Sequence, residues 1–124
     1  IPCYDERIKS FAMQEIVELD SLGKQISEKI CEYCKPLMLQ KEERKERTRL
    51  LSCETDLQLS LQYALEAESA ADCIAKLKLT KEECEIIVYT LKGLKQKTAL
   101  TKQIGDLAER LSALIDKFIA KADN

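Results

Sequence analysis

The stretch TALTKQIGDLAERLSALIDKFIAKA, residues 98–122, spaces Leu100, Ile104, Leu107, Leu111, Leu114 and Phe118 four, three, four, three and four positions apart. That is the signature of an amphipathic helix, in which every third or fourth side chain returns to the same face. A helix is therefore expected over about 98–122. The same rhythm recurs upstream. Ile8, Ala12, Ile16, Leu19, Leu22, Ile26, Ile30 and Tyr33 mark one apolar stripe, giving a first helix over about 5–34. Gly23 is a place where this helix can bend, and Pro36 ends it, because proline lacks the amide hydrogen and disfavours helix at the residue before it.

Leu50, Cys53, Leu57, Leu61, Ala64, Ala71 and Ile74 predict a second helix over about 50–78, its register blurred by Leu59 and Leu65. Thr80-Lys-Glu-Glu83 has the spacing of a capping box, which starts a third helix over about 81–95 that loosens near Gly93. The charged run Lys41 to Arg49 holds no apolar residue, so it reads as a solvated turn or an exposed helical overhang. With only three glycines and two prolines, the local preference is helical nearly throughout. The expected fold is all-α, a disulfide-stapled antiparallel four-helix bundle forming a single helical domain over 1–124. A coiled-coil dimer on the last stripe is the competing reading, but that stripe spans less than three heptads.

Six cysteines and no histidine occur in 124 residues that open at Ile1-Pro2 without methionine. The expectation is a processed, secreted chain whose export signal has been removed. Cys73 and Cys84 flank the turn expected near Leu79, so antiparallel packing pairs them; Cys53 pairs with Cys31 or Cys34, and Cys3 with the other. A straight first helix holds Cys3 about 40 Å from the Cys31–Cys34 pair, so that last pairing needs a break near Gly23. Six cysteines allow 15 connectivities, and spacing alone does not choose among them. The alternative is a reduced cytosolic protein whose cysteines pack as small hydrophobes.

Catalytic patterns are missing. Without histidine, and with only Cys31-x-x-Cys34 at ligand spacing, a zinc shell is not assembled. No strand pattern surrounds that pair to suggest a thioredoxin-like role. Glu42-Glu43 and Glu82-Glu83 are adjacent, and adjacent helical residues diverge by about 100° rather than converging on a substrate. No phosphate loop, nucleophile elbow or calcium loop is present. The reading is a non-enzyme with no cofactor and no metal. No apolar run approaches the ~18 residues of a membrane span. A net charge of -2 and 5% aromatic residues argue against nucleic acid.

Charge is unevenly placed. Glu54 to Asp72 carries five acids and no base, whereas Thr90 to Gly105 carries Lys92, Lys95, Lys97 and Lys102 and no acid. Together with Arg44, Arg47 and Arg49, these lysines are the candidate partner-binding residues, since segregated charge steers and orients association. A preorganised helical scaffold suits a surface-contact inhibitor of a larger extracellular protein.

The layout, with Thr80 to Glu83 and Leu100 to Phe118 as landmarks, is similar to the small salivary proteins of blood-feeding arthropods, in particular the mosquito anophensin and albicin family. That resemblance implies a four-helix bundle inhibiting host complement convertase or contact-pathway clotting factors. A helical, cysteine-stapled venom toxin is a neighbouring expectation. Cys31-Glu-Tyr-Cys34 and the ten-residue gap between Cys73 and Cys84 resemble saposin-like domains, which implies a lipid or small apolar ligand carrier, although no cysteine follows Cys84. A cytokine-like ligand is a further reading, with the Lys41 to Arg49 stretch in a crossover connection.

Overall fold

The computed structural model describes residues 13–123, which form four α-helices and one 3-10 turn, with no strand among the described residues. Helix α1 spans Met13–Cys34 and runs into the 3-10 turn Lys35–Leu37; α2 spans Arg44–Leu65, α3 spans Ala70–Lys92 and α4 spans Ala99–Asp123. Each helix packs on its two chain neighbours, and α1 closes the ring against α4. The result is an up-down-up-down antiparallel bundle. Its connections are short, so the crossover of a cytokine-like bundle is not formed.

The core is a heptad seam on every helix. In α3 the seam is Ala70, Cys73, Leu77, Thr80, Cys84, Ile87 and Leu91, with Thr90 also buried beside it, and in α4 it is Thr101, Ile104, Ala108, Leu111, Ile115, Phe118 and Ala122. Both sets step by three and four without interruption, the spacing that keeps one seam facing its neighbours over several turns. The α4 stripe expected at Leu100, Leu107 and Leu114 is the half-buried flank of this seam rather than its centre. Leu59 is exposed, which explains why it disturbed the reading of α2.

Helix α1 runs unbroken through Gly23. The glycine serves packing: a Cβ built there would lie 2.5 Å from Leu61 Cδ2 of α2, and the Gln58 side-chain amide donates to the Gly23 carbonyl. Glycine lets the two helices approach closely at this level. A first-helix start at residue 5, and Cys3 with it, lie outside the described residues.

The second and third helices differ most from the expected ranges. The turn expected near Leu79 lies instead at residues 66–69, and the expected ranges 50–78 and 81–95 become Arg44–Leu65 and Ala70–Lys92. Ser69 caps α3, its side chain accepting from the Asp72 amide at 3.1 Å, with the Asp72 carboxylate favourably placed in the first turn. Thr80 is no cap. It lies fully buried in mid-helix, sharing a 2.8 Å hydrogen bond with Ser60 of α2 and donating to the Lys76 carbonyl at 3.0 Å.

Cys73 and Cys84 consequently share one helix. Eleven positions apart, they are separated by about 16 Å along its axis, far beyond the ~4–7 Å between the Cα atoms of a disulfide. Cys53 is not joined to Cys31 or Cys34 either: the Cys34 thiol points at the Arg47 carbonyl, 3.9 Å away, while Cys53 is buried, with the Glu83 carboxylate of α3 adding to the burial that pushes its thiol up. No two described cysteines are bonded to each other, so the described helices are held by their apolar seams.

Candidate functional site

Antiparallel packing brings the C-terminal end of α1, the 38–43 loop, the first turns of α2 and the α3–α4 connection to one end of the bundle. Most of the basic candidates meet there. Part of the Lys41 to Arg49 run is the opening of α2, which exposes Arg44, Lys45, Thr48 and Arg49 but buries Arg47, so it is not an exposed overhang along its whole length.

Arg47 organises this end from inside. It is only 5% exposed, and it donates from Nη1 to the Glu42 carbonyl at 2.5 Å and from Nη2 to the Gln40 carbonyl at 2.6 Å. A buried guanidinium requires such partners, and its planar fork suits two carbonyls of one loop. The Arg47 guanidinium is spent inside the protein rather than presented on the surface. Burial, then the nearby Glu43 carboxylate, pushes the Tyr33 phenol up from 10.0, and burial pushes the Cys34 thiol to about 11.

Glu43 ties the two basic segments together. It caps α2 in the left-handed region at φ 60, a conformation costing a non-glycine residue about 1 kcal/mol or more. Its carboxylate accepts the Lys95 backbone amide across the bundle end. Residues 52 positions apart in the chain are joined by this contact.

Lys97 is also committed. Its ammonium donates to the carbonyls of Leu91, Lys92 and Leu94 at 2.7 to 2.9 Å, closing the end of α3 where the helix dipole favours a cation. Lys102 pairs with Asp106 one turn on at 2.9 Å, and that hydrogen bond raises its pKa. Of the seven candidates, Arg44, Arg49, Lys92 and Lys95 remain exposed and without an ion pair among the described residues. Lys35, Lys41 and Lys45 join them at the same end, equally exposed.

Two apolar residues that sequence reasoning passed over stand among these charges. Leu39 is 94% exposed and Met38 67% exposed, at the tip of the loop that Arg47 holds. Their signal was present in the sequence as an apolar triplet, Leu37-Met-Leu39, directly after the proline and before the charged run.

Elsewhere, two adjoining clefts of about 380 and 390 Å³ follow the α3–α4 junction and share Val88, Lys92 and Glu109. They are open to solvent. Among the described residues no group of three or more acids and cysteines is placed to hold a metal, and no helix is long and apolar enough to cross a membrane. No known family, curated protein or solved structure matches the chain.

Proposed function

We propose that this chain is a non-enzymatic binding protein that works by surface contact, with the basic end of the bundle meeting an acidic surface. The observation that carries this is the convergence of Arg44, Lys45 and Lys95 on one preorganised end, held by Arg47 from within and by Glu43 across the gap. Unpaired cations on a fixed frame steer association and lose little conformational freedom on binding. The opposite end carries Glu66, Glu68 and Asp72, so the molecule presents a charge dipole along its length.

The narrower reading is an extracellular inhibitor of a plasma protein cascade, complement or contact pathway, supported by the resemblance of layout. The carrier reading would draw on the α3–α4 clefts, which are open to solvent and rimmed by Glu85, Lys92 and Glu109, and it ranks below.

Capture experiments with the immobilised chain test both levels. The charge-reversed variant Arg44→Glu/Lys45→Glu/Lys95→Glu is compared with Lys78→Glu/Lys117→Glu, which alters exposed lysines away from that end. Loss of capture only in the first variant supports the contact surface, and complement or clotting proteins among the captured species support the narrower reading. Capture that both variants retain equally, from plasma and on anionic vesicles alike, contradicts the proposal.

A further inference from the structure

We propose that the acidic surface met by the basic end is an anionic lipid interface, with Leu39 and Met38 entering the headgroup region. This deepens the reading of the basic end as the contact surface and depends on it. Single exposed hydrophobics are ordinary on protein surfaces and require no explanation. Met38 and Leu39 differ because they are adjacent, protrude from a loop tip and have Lys35, Lys41, Arg44 and Lys45 close by in the chain, all exposed, against the exposed Glu42 and the half-buried Glu43 and Glu46.

Lys35 and Lys41 flank the pair in sequence, Arg44 and Lys45 open α2 beside it, and Lys95 is docked alongside through Glu43. None of these five side chains forms an ion pair among the described residues. Apolar side chains at a tip with unpaired cations around them match a bilayer surface, where the apolar groups leave water while the bases meet anionic headgroups. Long lysine and arginine stems extend to headgroup level while the tip sinks below it.

The loop is built rather than loose. Its carbonyls at Gln40 and Glu42 are tied to the buried Arg47, its Gln40 amide donates to the Leu37 carbonyl at 3.0 Å, and its Met38 amide donates to Lys35 at 3.3 Å. A buried cation spent on fixing a loop whose outer residues are apolar and solvent-facing implies that the presented tip is used. A protein partner would have to offer a concave apolar pocket for Leu39 rimmed by acids. A lipid interface is soft and needs no matching shape.

The test uses the whole chain and sedimentation with phosphatidylcholine vesicles, with and without phosphatidylserine. The wild-type chain is expected to sediment with the serine-containing vesicles and not with phosphatidylcholine alone, and salt should weaken this binding. Leu39→Glu, a change at an exposed loop position whose fold far-UV circular dichroism confirms, should lower partitioning by about tenfold or more. Because the chain has no tryptophan, Leu39→Trp supplies a unique reporter. Its emission should move to the blue on anionic vesicles and be quenched by brominated lipid. No sedimentation with anionic vesicles, undiminished binding by Leu39→Glu, or an unmoved Leu39→Trp emission would each overturn the lipid assignment. Charge-dependent capture of an acidic protein without vesicle binding overturns it too, yet leaves the surface-contact function standing. Loss of both removes both.

Discussion

Replacing Arg47 with methionine removes the fork that holds the loop while leaving an unbranched apolar stem in its place. Two hydrogen bonds from a charged donor are lost, each contributing about 1.5–3 kcal/mol net. Two effects offset part of this: Gln40 and Glu42 are exposed, so water reaches their freed carbonyls, and a buried charge no longer has to be desolvated. The expected cost is about 2 kcal/mol, a fall in Tm of about 8 °C for a chain of this size. Urea unfolding followed by circular dichroism measures it, with the slope unchanged if only the native state is affected. Arg47→Lys keeps the charge but has no planar fork, so about half the loss is expected from it. A change below about 0.5 kcal/mol in Arg47→Met, or wild-type stability in Arg47→Lys, would refute the clamp.

Other outcomes follow from the same packing. Lys81→Pro sits in mid-α3, where proline removes a helical hydrogen bond and clashes with the preceding turn; it should cost about 3 kcal/mol or more, whereas a helix beginning at residue 81 would tolerate it. Urea unfolding of that variant decides between the two. Gly23→Leu should destabilise strongly and broaden the unfolding transition, because the space its side chain needs is filled by the buried Leu61 and Leu57 and the half-buried Gln58. Burial pushes the Cys53 and Cys84 thiols to about 12 and Cys34 to about 11, so the folded state favours the neutral forms. The stability this contributes is complete below pH 9.0 and is lost as pH rises towards 11–12, and native alkylation near pH 8 should label the half-buried Cys31 well before Cys34, Cys53 or Cys84. Equal labelling of all four would contradict the packing.

Much of the fold was legible as periodicity. The stripes of α1 and α4 and the stop at Pro36 depend on local spacing, which the chain displays openly. The turn at residues 66–69 was not legible by the usual punctuation, since Glu66-Ala-Glu-Ser69 contains neither glycine nor proline. Thr80 with Glu83 has the spacing of a capping box, yet the cap forms at Ser69 with Asp72. The seam from Ala70 to Leu91 decides between them, because it runs through Thr80 only if a buried threonine can occupy a core position by sharing its hydroxyl with Ser60. With the turn at residues 66–69, Cys73 and Cys84 fall on one helix rather than facing each other across two.

At the candidate site the charges were legible and their roles were not. Arg47, Arg49 and Lys97 look alike in sequence, yet one is buried under a loop, one is exposed, and one closes a helix end. Such distinctions come from tertiary contacts like that of Glu43 with Lys95, which no local pattern announces. Leu39 shows the converse: it belongs to no helical stripe, and only the structure shows that it stands exposed at a loop tip.

The most direct measurement is a lysine footprint, in which acetylation of the free chain is compared with that of the chain bound to anionic vesicles or to a captured target. Protection concentrated at Lys35, Lys41, Lys45, Lys92 and Lys95, with Lys78 and Lys117 modified as fast as before, is the expected result. Protection centred on Lys78 and Lys117, or spread evenly over all of these lysines, would contradict the claim that the basic end is where this protein makes contact.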